Sequence, residues 1–581
     1  MARVGSLAFV LHAHLPYVLA HGRWPHGTDW LNEAAAETYL PLLRALDRLL
    51  AEGLQPRLTI GITPVLSEML ADRGFAAEFE GYLAQKIEAA EADQREFARV
   101  GDAAMQRLAE RWEGWYRGIR DEFVGRYGRD LVGAFRRLQD AGAIEILTSA
   151  ATHGYLPLLG EDTSVQAQIK QGVATYRRHF GRPPRGAWLP ECAYRPRYRW
   201  QNPVEEDAPP RLRKGIDEFL AENGIEYFVI DSHLLKGGRA IGIYIDRFEA
   251  LKRLWEQYVR ERGEALRPEA PRSPYDLFLV ASKPDMRPVA VFTRDPRTAL
   301  QVWSGQHGYP GDGCYLDFHK KRFPGGLRYW RVTDAKADLA DKQPYDPEAA
   351  AGRIAPQADH FHGLVKATLG EHRAAAGRPG VLTAPFDAEL FGHWWFEGPE
   401  WLAAVLRRVA ADPELELTTA GAALEAHRPE EVIALPEGSW GEGGHHWIWL
   451  NPDTVWTWRH VYRAERELPA LLAEAGVERL ARDRALSRVL RQAARELLLL
   501  EASDWQFLIS TFSARDYAEL RVARHDEDFR RLAAIARRLL GAGPGGLAPE
   551  EEAFVAAVEG RDRLFPDLDL AWWRQVEYPA A

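Results

Sequence analysis

Three short segments concentrate the side chains that carry acid–base or ligand chemistry. The first is His12-Ala13-His14-Leu15-Pro16-Tyr17, directly behind the apolar run 7–11 (LAFVL). Strand side chains alternate with period two, so His12 and His14 point to one side. Two imidazoles there can ligate a metal, hydrogen-bond a ligand's hydroxyl groups, or serve only as a structural pair. The second segment is Trp188-Leu189-Pro190-Glu191-Cys192-Ala193-Tyr194, a carboxylate set among aromatic neighbours that limit its hydration. Glu191 is placed for chemistry at a strand end, or it caps the next turn, or it pairs with Arg195 or Arg197. Cys192 reads as a packing residue, since no His lies beside it in sequence. The third is 384–395 (APFDAELFGHWW), with two carboxylates, an imidazole and two indoles. Asp387, nearest the strand end, is the better candidate for chemistry, whereas Glu389 reads equally well as the cap of the next helix.

Two carboxylates delivered by separate strands to one pocket suit the cleavage of a glycosidic bond. A retaining mechanism needs a nucleophile and a general acid/base about 5–5.5 Å apart, with an oxocarbenium-like transition state between them. One must be ionised and the other protonated, so the surroundings of Glu191 and Asp387 are expected to separate their pKa values. Neighbouring segments have the same flavour. The stretch 144–155 ends in His153 and Tyr155, and Trp303, Trp440, Trp447 and Trp449 add indoles beside Gly and polar residues. A single Trp is more often core than ligand platform, but 20 of them suit flat, half-apolar ligands such as sugars.

Something must hold these segments at one mouth. Residues 1–430 alternate short apolar runs with longer helical stretches, the pattern of parallel strands with helices outside. A β/α barrel is the leading reading, with strands at 7–11, 58–62, 144–148, 187–189, 227–230 and 380–383. Between the second and third, residues 76–130 turn charged and helix-forming, which predicts a helical insert. The barrel is then 1–75 and 131–430, and 431–581 is a C-terminal helical domain, rich in Leu, Ala, Arg and Glu from about Arg463. The run 541–546 (GAGPGG) reads as a loop between its last helices.

Composition narrows the function further. The 581 residues carry a net charge of −10, which disfavours a nucleic-acid partner because phosphate neutralisation needs a basic surface. Two distant cysteines exclude a disulfide framework and suggest a reducing compartment. No signal peptide and no membrane span is legible, so a soluble cytoplasmic protein is expected. Many Arg, Ala and Pro with few Met and Cys hint at a thermophile or a GC-rich genome.

The set HAHLPY, EILTSAATHGYLPLL, WLPECAY, FDAELFGHWW and ASDWQFL, in this order, resembles the glycoside hydrolase family 57 α-glucan branching enzymes, from residue 5 to about 525. The resemblance implies an α/β fold, an incomplete (β/α)7 barrel with a helical insert and a C-terminal all-helical domain, acting on α-1,4-glucan with no cofactor and no metal. It implies Glu191 as nucleophile, Asp387 as general acid/base, and His12, His14 and His153 as residues that orient the donor sugar. Trp24, Trp303, Trp440 and Trp449 would line the glucan groove, and Asp504 and Trp505 would help close it. A Gly-rich lid at 236–244 would carry Tyr244 over the site. The charged stretch 246–274 departs from the family and reads as a surface insert rather than an extension of that lid.

Other functions remain to be separated from this one. A family 57 α-amylase or 4-α-glucanotransferase would use the same two carboxylates. A metal-dependent polysaccharide deacetylase or zinc mannosidase would use the paired His with an acidic ligand. A non-catalytic glucan-binding scaffold is permitted by the tryptophans alone.

Overall fold

The computed structural model describes residues 3–205, 207–236, 249–262, 271–304, 308–334, 336–542, 546–574 and 576. Seven parallel strands form the core: β1 (Gly5–Ala13), β2 (Leu58–Ile62), β3 (Ile144–Ser149), β4 (Gly186–Trp188), β5 (Tyr227–Ile230), β6 (Val289–Thr293) and β7 (Gly380–Asp387). Their spatial order is β7-β1-β2-β3-β4-β5-β6. Between β6 and β7 contact shrinks to a bridge of Arg294 with Thr383, beside which the Asp295 amide donates to the Thr383 carbonyl at 3.0 Å. The sheet has thus curled into a seven-stranded barrel that barely closes. Strands covered on both faces must be apolar throughout, and every residue of β1 is buried.

Six of these strands were legible as apolar runs. The one sequence analysis missed is β6, whose VAVFT follows a long charged stretch and ends at an Asp-Pro pair. Strand β7 also runs four residues past the predicted Thr383, to Asp387 itself. That extension pairs Asp387 with His12 of β1, so two of the chemical segments meet in register.

The helical insert is a hairpin of Arg73–Val100 and Ala103–Asp121. Asp72 and Asp102 cap its two N-termini, and Gly101, at φ 75°, turns the chain between them in a left-handed conformation that glycine adopts without strain. Phe75, Phe79, Tyr82 and Leu83 recur at helical spacing and bury the hairpin's inner face.

The predicted boundary at 430/431 needs correction. Val432–Ile433 pairs with Phe278–Val280, which is antiparallel to β6, so the barrel's sheet continues past residue 431. Residues 437–452 then form a loop against the barrel mouth, and the helical domain starts only at Val455–Arg482. Buried polar contacts lock that domain on: Arg521 donates to the Tyr17 carbonyl at 2.6 Å, and His21 pairs with Asp562 at 2.6 Å. The last long helix, Arg515–Ala542, runs into the predicted 541–546 loop, of which 543–545 lie outside the described residues. Glu249–Arg262 is a helix with Leu251 fully buried. Lys252, Arg253, Glu256, Gln257 and Arg260 are exposed, so this part of the 246–274 stretch is a surface helix anchored through Leu251, in keeping with a surface insert.

Candidate active site

Glu191 sits on the turn Pro190–Cys192 just beyond β4, with φ 60°. A left-handed residue with a side chain costs on the order of 1 kcal/mol or more, and such strain persists only where the surroundings over-determine it. Here they do. The Trp440 amide donates to the Glu191 carbonyl at 3.0 Å, and the Trp440 indole N–H donates to Glu191 Oε2 at 2.7 Å. Neither Arg195 nor Arg197 is the partner: Arg195 lies by Asp162 and Arg197 pairs with Glu218. Burial pushes the Glu191 carboxyl up to about 8 against that indole hydrogen bond, and the charges of Asp387 and Asp504 push it the same way as burial. These influences favour the protonated acid at Glu191 near neutral pH.

The imidazoles form one stack. His12 and His153 share a hydrogen bond between their Nε2 atoms at 3.0 Å, and His14 stacks on His153 at 3.9 Å. Trp188 covers His12 from behind at 4.6 Å. Burial, with the charge of His14, holds both His12 and His153 well below the usual imidazole range, so they are neutral. His153 is also left-handed, at φ 60°, and is pinned by Ser503, whose hydroxyl meets Nδ1 at 2.9 Å. His14 is held at both ring nitrogens, by Thr63 at 3.0 Å and by Asp504 at 3.0 Å. Asp504 belongs to the C-terminal helical domain, which thus supplies a wall of the site.

Glu389 is not a helix cap. Its Oε1 accepts the Tyr39 hydroxyl at 2.6 Å and the His14 amide at 3.1 Å, and burial pushes its carboxyl up to about 8. Glu191, Asp387, Glu389, Asp504 and all three histidines line one cavity of about 400 Å³. Its outer wall includes Trp30, Phe318, Trp394 and Phe507, apolar rings that can cover a sugar's flat face. The arrangement sets Glu191 and Asp387, with Glu389 and Asp504, among imidazoles and apolar rings in one cleft.

The sequence profile of glycosyl hydrolase family 57 matches residues 8–436. The chain belongs to this family. The profile for the C-terminal region of 1,4-alpha-glucan branching enzymes matches residues 460–573. A 1,4-alpha-glucan branching enzyme of Thermococcus kodakarensis is 43% identical over 530 residues, covering 91% of this chain and 73% of that protein. The solved structure of the GH57-type branching enzyme from Pyrococcus horikoshii superposes with a TM-score of 0.86 at 39% identity, over 99% of this chain and 98% of that one. A solved Thermotoga maritima protein described as a novel alpha-amylase gives 0.79 at 28% identity, over 99% of this chain and 100% of that one.

Within this family 57 chain the indoles expected in the groove take different places. Trp440 is 3% exposed and lines the cavity, but it spends its N–H on Glu191. Trp303, 8% exposed, is not in the cavity wall and backs Trp440 at 6.3 Å. Trp449 and Trp505 are both 0% exposed, so neither presents a face to glucan, and the expectation that Trp449 lines the groove is corrected. Trp449 stacks on Tyr155 at 4.4 Å, and Trp505 donates to the Leu499 carbonyl at 2.8 Å. Trp24 is 70% exposed beside Phe323, away from the cavity wall. Tyr244 and the lid residues 237–244 lie outside the described residues. His14, His153 and Asp504 offer ligand atoms within 4.8 Å of one another, a set that could hold a metal ion. Their facing nitrogens and oxygens already hydrogen-bond within the protein. Among the described residues, no helix is long and apolar enough to cross a membrane.

Proposed function

We propose that the protein is a 1,4-α-glucan branching enzyme that cleaves an α-1,4-glucan and moves the freed segment to a 6-hydroxyl, making an α-1,6 branch. Glu191 attacks the anomeric carbon while Asp387 protonates the departing oxygen, leaving a glycosyl ester on Glu191. Asp387 then takes the proton of the acceptor's 6-hydroxyl as that oxygen displaces the Glu191 carboxylate, so two inversions keep the α configuration. Before the attack the pair's one proton moves from Glu191 to Asp387, which then delivers it to the departing oxygen. The Trp440 indole favours the ionised form of Glu191, and positive charge growing at the sugar's anomeric carbon stabilises it further. His12, His14 and His153, fixed in one stack, are suited to hold the donor sugar's hydroxyls.

The observation that carries the branching reading is Asp504. It lies in the region that matches the branching-enzyme C-terminal profile, and it reaches the cavity to hold His14. Water competes with the acceptor, so this reading requires a dry cleft, and Trp30, Trp394 and Phe507 supply apolar walls. Two unpaired cysteines are in keeping with a cytoplasmic setting. Incubation with amylose should produce linkages that isoamylase cuts. Linear products alone would favour the α-amylase or 4-α-glucanotransferase reading.

A further inference from the structure

Behind the loop that carries Trp440 lies a second cavity, of about 650 Å³, larger than the catalytic one and well within the usual ~300–1,000 Å³ of ligand sites. Its inner wall is aromatic, from Tyr198, Trp200 and Trp447, and its rim is amide and imidazole, from Gln201, Asn451 and His446. Among the described residues, no Lys or Arg lines it. Its one carboxylate among them is Glu437, which accepts from the Tyr198 hydroxyl and pairs with His446 at 2.9 Å, so the charge is already answered from within the protein. A wall whose described carboxylate and imidazole are already paired with each other offers no free cation to select phosphates or other anions, and one so rich in amides and imidazoles does not suit a lipid chain. Flat rings bordered by amide and imidazole groups suit an uncharged, hydroxyl-rich chain.

Two structural elements join this cavity to the active site. The loop 437–452 turns Trp440 toward Glu191 on one side and His446 and Trp447 toward the second cavity on the other. His446 also meets the hydroxyl of Tyr155 at 2.8 Å. The helix Glu249–Arg262 gives the second cavity Leu254 and packs on Asp504–Thr511, the helix that brings Asp504 to the first. We infer that the second cavity is a further α-1,4-glucan site, holding one stretch of chain while another is processed at Glu191. The inference rests on the glucan reading of the active site. It explains why a sugar-handling surface is built on the far side of the nucleophile's own supporting loop.

Calorimetric titration of the full-length Glu191→Gln protein with maltoheptaose tests it. Two classes of binding are expected, and Tyr198→Ala or Leu254→Arg in that background should remove one class and keep the other. The two substitutions lie on different elements, and unchanged thermal melts of either one show that the fold survives. With Glu191 intact, Tyr198→Ala should raise KM for amylose about tenfold and leave kcat on maltoheptaose unaltered. A single class of binding, or two classes that both variants leave at full affinity, overturns the site. Branching of amylose by the unmodified enzyme, assayed in parallel, tests the underlying reading separately: the second site fails alone if branching is intact and the second class is missing.

Discussion

At the scale of single residues, the informative group is Trp440. Its indole looked like a platform for sugar, and the structure spends it on Glu191, the one hydrogen bond that favours the ionised carboxylate against burial. A hydrogen bond to a charged group contributes about 1.5–3 kcal/mol, and one pKa unit corresponds to about 1.4 kcal/mol. Trp440→Phe should therefore move the acid limb of the kcat/KM profile to higher pH by about one unit, which pH–rate measurements would read. A limb that stays in place would separate Trp440 from the ionisation of Glu191. Sequence alone could place Glu191 and Asp387 at strand ends facing one cavity, because a carboxylate behind an apolar run marks a strand end. It could not find the partner of Glu191, which arrives from 249 residues away. Nor could it tell Trp449 from Trp440, since neighbouring indoles on one loop face opposite ways.

At the scale of elements, the site is a joint between barrel and helical domain. Strands β1 and β7 set His12 beside Asp387 by register, and that was half visible in the HAH and FDAE segments. The contribution of Asp504–Thr511 was visible only through resemblance, because no local pattern says that a helix nearly 500 residues downstream will face His14. Asp504→Asn keeps the shape and weakens the bond to His14, so kcat/KM on amylose should fall about tenfold or more with little change in thermal midpoint. An unaltered kcat/KM would reduce Asp504 to packing. The same joint decides the metal question. Activity is expected to survive dialysis against a chelator. Loss of activity, restored by a divalent cation, would turn His14, His153 and Asp504 into ligands and favour the metal-dependent reading. Strand β6 went unread although Val289–Thr293 is a β-branched and aromatic run between Pro288 and the Asp295-Pro296 pair, so its signal was present but short.

At the scale of the whole molecule, the buried acids set a pH dependence of stability. Glu389, ordinarily near 4.5, is pushed up to about 8, and Glu501 and Glu397 to about 7. Through these carboxyls the folded chain holds protons between pH 4.5 and 8 that the unfolded chain has lost, so their contribution to stability falls as pH rises. Buried His12, His21, His153 and His525, held below the imidazole range, act the opposite way below about pH 6.5, so the net fall is expected above it. Glu389→Gln mimics the protonated acid and can still accept from Tyr39 and His14 through its amide oxygen. Its thermal midpoint should decline less between pH 5 and 8 than that of the parent, and equal slopes would show that Glu389 is not the group responsible. The barrel, insert and helical domain were legible as changes in composition and period along the chain. Their boundary was misplaced because residues 432–452 have no helical period and yet belong to the barrel and its site.

The division of labour between the two distant acids can be tested by trapping the ester. An α-maltosyl fluoride needs no acid to lose fluoride, whereas release of the sugar from the enzyme needs Asp387 as base, so Asp387→Asn protein should accumulate an adduct. Peptide mass mapping is expected to place that maltosyl group on Glu191. A sugar attached to any other residue, or an Asp387→Asn enzyme that turns over natural glucan at the parent rate, would contradict the account.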